Sequence, residues 1–147
     1  MLIFFSVVLW NCQKKEEVNI TNTSEFIAQD VDFENFRNWV KIIESPNALS
    51  NDGRAHTDAA RVIWIKQNTK PNPNEQYPIG TILVKEVQGG YGIVAMVKRG
   101  GTYNAEHQYW EWFKLDNNGK IISRNASSLC NNCHALAKSS DYVFSQK

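Results

Sequence analysis

Four stretches of this chain carry apolar residues at both the odd and the even positions of a strand. RVIWIKQ begins at Arg61, TILVKEVQ at Thr81, YGIVAMVK at Tyr91 and QYWEWFKLD at Gln108. Side chains alternate between the two sides of a strand. Arg61, Ile63 and Ile65 therefore share one side, and Val62 and Trp64 the other. Leu83, Lys85 and Val87 oppose Ile82 and Val84, while Val94 and Met96 oppose Ile93, Ala95 and Val97. A sheet with one wet face shows a cleaner alternation of apolar and polar residues. This one needs cover on both faces, from a helix, a cofactor or a partner subunit.

The connections read as turns. VQGGYG is a tight hairpin link and DNNGK a second turn, followed by a short strand around Ile121 and Ile122. KPNPNEQYPIG holds three prolines, which forbid a regular element. Upstream, Phe33, Phe36, Trp39, Val40 and Ile43 fall at helical spacing, with Asp32 as a cap and Ser45-Pro46 as a stop. That spacing predicts an amphipathic helix over 32–44. NALSNDGRAH, from Asn47 to His56, reads as a loop. The fold class is α+β: an antiparallel β-meander with an N-terminal helix and a C-terminal helical segment.

A chain of 147 residues supports one domain with a tail. The net charge of +1 comes from scattered lysines and acids, so no basic stripe points to nucleic acid. MLIFFSVVLW is too short to span a bilayer as a helix but has the length of a signal-peptide core. Leu9 and Cys12 resemble a bacterial lipoprotein cleavage box, which makes Cys12 the expected lipidation site. The boundaries expected are a signal segment over 1–12, a flexible tether over 13–30 and a domain over 31–147. The expected location is the periplasmic or cell-surface side, held to the membrane only through the lipid.

Of three cysteines and three histidines, CNNCH gathers Cys130, Cys133 and His134 into five positions. CxxCH is the attachment motif of c-type haem. Each thiol adds to a haem vinyl group, and the adjacent histidine reaches the iron as a ligand. Two other chemistries use such residues. A zinc site wants more ligands, and only His56 and His107 remain. A redox dithiol sits early in a βαβ unit rather than at the end of a meander. Haem c is the cofactor the motif predicts. Its thioether attachment takes place outside the cytoplasmic membrane in bacteria, which agrees with export.

These pieces together resemble the cytochrome P-460 family, including the cytochrome c′-β kind. The resemblance runs from about Phe33 to Phe144 and rests on NDGRAH, Arg61 opening RVIWI, YPIGTILVKEV, YGIVAMVKRGG, the WEWF strand and CNNCHALAKSSDYVF. It implies a homodimer of β-rich subunits. Each subunit binds one c-type haem with a histidine ligand and an open distal position. The P-460 kind oxidises hydroxylamine and bonds a lysine to the macrocycle; the c′-β kind lacks that bond and binds gases such as nitric oxide. By this resemblance Lys85 stands at the cross-linking position and Arg61 at the distal arginine. A solvent-facing lysine and a surface ion pair are the ordinary alternatives for the two.

The departure is Val94, which stands where active P-460 proteins carry a glutamate that takes protons. Glu86, next to Lys85, points to the opposite side of its strand, and Glu111 has no positional support as a substitute. The expected ligand or substrate is a small nitrogen oxide: nitric oxide captured without turnover, or hydroxylamine or nitric oxide in an oxidoreductase reaction. Met96 on iron would instead make an electron carrier, though a methionine there is more often packing. His56 could approach the distal side but beside Arg54 reads as a solvated loop residue, His107 reads as a strand-entry surface residue, and Trp110 and Trp112 as core or dimer-interface packing.

Overall fold

The computed structural model describes residues 24–45, 60–66, 76–87, 92–125 and 128–144. Cys12, the stretch 46–59 with Arg54 and His56, and the stretches 67–75 and 88–91 lie outside them. Six strands make one antiparallel sheet in chain order: β1 Val40–Ser45, β2 Arg61–Ile65, β3 Ile82–Val87, β4 Gly92–Lys98, β5 Trp110–Leu115 and β6 Ile121–Asn125. A single short helix follows, α1 Ser128–His134, continued by a 3-10 turn Ala135–Ser140. The α+β meander is as the strand patterns predict, and each pattern coincides with a strand.

Register joins the strand faces into two sheet faces. Ile65, Leu83, Met96 and Trp112 stand in one cross-strand row. The next row is Ile63, Lys85, Val94 and Lys114, and Arg61 pairs with Val87 beyond it. The opposite face carries Trp64, Val84, Ala95 and Phe113. Both faces are covered. Phe33, Phe36 and Ala28 close the second over Trp64, Ile82, Val84, Ile93, Ala95, Val97, Phe113 and Leu115. Tyr77, Tyr142 and Val143 close the first over Ile65, Leu83, Met96, Trp110 and Trp112, with Cys130 packed alongside. Each large apolar side chain so buried contributes about 1.5–3 kcal/mol.

The helix expected over 32–44 is not formed. Two 3-10 turns, Asp30–Phe33 and Phe36–Asn38, replace its first half and β1 its second. Asn35 between the turns has φ 54°, which no helix interior allows. Phe33, Phe36 and Trp39 stand three apart, the 3-10 period, so they bury one edge without an α-helix. Val40, Ile42 and Ile43 are β-branched, and β1 pairs antiparallel with β2 from Val40 to Ser45. Part of the expected tether is also fixed in place. Glu25 bridges Gly100, Phe26 N donates to Arg99 O at 2.7 Å, and Ala28 is buried. The domain therefore takes in residues 24–30.

The turn between β5 and β6 is DNNGK. Asp116 Oδ1 accepts from Asn118 N at 2.9 Å and Lys120 N at 2.8 Å. Gly119 has φ +86°, and a Cβ there would stand 2.6 Å from the Phe33 carbonyl oxygen. The turn thus docks on the N-terminal cover. Among the described residues no helix is long and apolar enough to cross a membrane.

Candidate functional site

Cys130, Cys133 and His134 all lie on α1. Positions three apart on a helix are neighbours, with Cβ atoms about 5–6 Å apart. The two thiols therefore lie close together on the helix surface, with the imidazole one residue further on. Neither cysteine is in a disulfide, and both are half-buried. α1 lies on the sheet face that carries Met96 and Trp112. The His134 ring stacks on Trp112 with centroids 4.2 Å apart and meets Phe144 at 5.1 Å.

Asn131, inside the motif, ties α1 to the sheet. Its Oδ1 accepts from Trp112 Nε1 at 2.8 Å and from Asn104 Nδ2 at 3.0 Å. Its Nδ2 donates to Asn104 Oδ1 at 3.1 Å, closing a reciprocal amide pair. Asn104 Nδ2 also donates to Trp110 O at 2.7 Å, and His107 Nδ1 lies 3.2 Å from Asn104 Oδ1. His107, read from sequence as a strand-entry surface residue, is half-buried against Tyr142, with ring centroids 5.6 Å apart.

His134 has a defined tautomer. Nδ1 lies 2.7 Å from the Tyr142 carbonyl oxygen. A carbonyl only accepts, so Nδ1 carries a proton, and in the neutral ring the lone pair is then on Nε2. Metal-ligating histidines are commonly oriented by such a hydrogen bond from the other ring nitrogen. Tyr142 is placed by Asp141, which precedes it. Lys98 Nζ lies 2.7 Å from both Asp141 carboxylate oxygens, and the two side chains are 1% and 2% exposed. Burial pushes the Lys98 ammonium below the ordinary lysine range, and the Asp141 carboxylate draws it part of the way back.

The residues singled out from sequence fall on two sides of the sheet. Lys85, Val94 and Met96 face the same way as Trp112, on the α1 side, and Arg61 shares that side in the last row. Arg61, Lys85 and Val94 are half-buried, and Met96 is packed with Trp112, Leu83 and Ile65. Glu86 and Glu111 face the other side. Glu86 pairs with Arg37 at 2.8 Å. Glu111 is buried between Arg99 at 3.4 Å and Arg124 at 3.3 Å. Glu111 therefore cannot replace the carboxylate that Val94 lacks, because neighbouring residues of a strand point to opposite faces.

Comparison with known protein families finds no matching model, and no curated protein matches the chain.

Among the described residues no group of three or more His, Cys, Asp or Glu side chains can hold a metal ion by itself. A porphyrin asks for something different: two thiols on one helix turn and one imidazole whose Nδ1 is held by a hydrogen bond. Those are the groups α1 presents, and they fit haem c. Sequence reasoning missed Asn131, Lys98, Asp141 and Tyr142. One signal was present: Lys98 shares strand parity with Met96 in an apolar strand, and a lysine there needs a buried counter-ion.

Proposed function

We propose that this chain is a c-type haem protein resembling the cytochrome P-460 family. Cys130 and Cys133 would form the thioether links, and His134 would be an axial ligand through Nε2. The hydrogen bond from His134 Nδ1 to the Tyr142 carbonyl carries the proposal, because it sets the tautomer that ligation requires. When bound, the haem would supply an iron able to take a small nitrogen oxide.

The sheet face on the α1 side favours binding over turnover. Among the described strand residues on the face shared with Met96, none is a carboxylate. Oxidation of hydroxylamine sheds protons and works best with a positioned base. Val94 offers none. Arg61 brings a guanidinium to that face, suited to donating to a bound oxygen or nitrogen ligand. The reading preferred is capture of nitric oxide in the manner of cytochrome c′-β. The enzymatic reading is kept by one observation: Lys85 is half-buried on the α1 side beside Val94. A neutral amine there would be the group to bond to the macrocycle.

Acid–acetone treatment of the protein matured in a competent host tests the attachment. The pigment is expected to stay with the polypeptide, and Cys130→Ala with Cys133→Ala together should abolish that. The reduced protein should bind carbon monoxide. A low-spin reduced form that refuses it would point to Met96 on iron and an electron carrier. A red-shifted, broadened Soret band restored to an ordinary position by Lys85→Ala would establish the cross-link and favour the enzyme.

A further inference from the structure

We infer that the buried pair of Lys98 and Asp141 is a positioning device for the His134 imidazole, fixing the turn that supplies its hydrogen-bond acceptor. The role of His134 on iron rests on the haem reading above; the placement of its ring does not.

The turn is held from several directions. Asp141 receives Lys98 Nζ on both carboxylate oxygens and the Tyr77 amide on Oδ2, all at 2.7 Å. Its main-chain carbonyl accepts from Trp110 Nε1 at 2.8 Å. Tyr142 N donates to Ala137 O at 2.8 Å, and the Tyr142 hydroxyl to Glu106 O at 3.0 Å. Such anchoring matches what the backbone demands. Asp141 and Tyr142 are both left-handed, with φ 50° and 65°. Two successive non-glycine residues in that region persist only where their surroundings over-determine them. The strained pair aims the Tyr142 carbonyl at His134 Nδ1, 2.7 Å away.

Stability alone does not account for the pair. A buried ion pair replaced by apolar residues of similar volume is often neutral or stabilising. The side-chain ties of Asp141 to Lys98 on β4 and to the Tyr77 amide are what an apolar substitute would not provide. Lys98, on β4, thus acts on the imidazole through Asp141 and the Tyr142 carbonyl.

The test uses the full chain in two variants. Asp141→Asn keeps the shape and an acceptor for the Tyr77 amide; Lys98→Met with Asp141→Leu replaces the pair by apolar side chains and serves if the first variant does not fold. Nitrogen-15 NMR of the His134 ring, recorded before haem attachment, should show the Nδ1-protonated tautomer in the wild type. In either variant it should show a mixture, with the double variant still unfolding in one cooperative transition. In the haem-loaded protein the iron–histidine stretch should move to lower frequency and the reduction potential should rise, because the imidazole loses donor strength. An unchanged tautomer and unchanged stretch in a folded variant would overturn the inference. A tautomer shift in a chain that never takes up haem would sink the haem reading and leave the positioning role intact.

Discussion

Two asparagines sit side by side in CNNCH, and the fold gives them opposite fates. Asn132 is exposed, whereas Asn131 accepts the Trp112 indole N–H and pairs with Asn104. Asn131→Ala leaves the indole donor and the Asn104 amide without that partner, which should cost about 1–3 kcal/mol in urea unfolding. Asn132→Ala should fall within about 0.5 kcal/mol of wild type. The motif alone treats both as spacers, so this difference was not legible in the sequence. Asp32 gives a residue-scale pH response. Burial raises its pKa, but the Gln29 amide and the Lys66 ammonium, 3.0 Å away, outweigh that and hold it below the usual 3.8. A depressed folded-state pKa stabilises the fold above the unfolded value, and the contribution fades as pH falls through the folded one. Asp32→Asn should therefore flatten the stability profile between about pH 5 and the acid limit, read as unfolding midpoints at successive pH values. An unaltered acid slope would remove Asp32 from that response.

At the scale of elements, the turn after β5 and the N-terminal cover act as one unit. Gly119→Ala meets both a left-handed backbone and the Phe33 carbonyl. It should destabilise by about 1–3 kcal/mol, since the backbone on both sides of the clash would have to move. A change under a few tenths would show that the turn and the Phe33 segment part easily. The same segment shows where sequence reading fails. Phe33, Phe36 and Trp39 fit a helical and a 3-10 period alike over so short a run, and only the left-handed Asn35 and the pairing of β1 with β2 separate the two. The strands were legible because their residue types and alternation agree with the tertiary role. The two-sided apolar pattern also announced two covers, and both exist. It did not say which chain segments supply them, because that depends on register: parity places Lys85, Val94 and Met96 within their strands, and cross-strand pairing places them together opposite Glu86 and Glu111.

For the whole molecule, the C-terminal segment is both the cover of one sheet face and the frame of the candidate site. These two roles can be tested with a chain ended after Ser140. It keeps all six strands and CNNCH, yet loses Asp141, Tyr142 and Val143. Lys98 then loses its counter-ion, a loss of up to about 3–5 kcal/mol where it stays buried. Tyr142 and Val143 are each 2% exposed, and losing two such side chains removes about 1.5–3 kcal/mol apiece. Together these rival the 5–15 kcal/mol by which a domain is stable. The shortened chain should unfold without a cooperative transition and bind a hydrophobic dye over the uncovered Trp110 and Trp112. Adding Lys98→Met to it should recover part of the transition, since the stranded charge is gone while the missing apolar cover is not. Cooperative unfolding of the shortened chain near the wild-type midpoint would mean that the sheet and its N-terminal cover hold the fold alone. The C-terminal residues would then serve the histidine and little else.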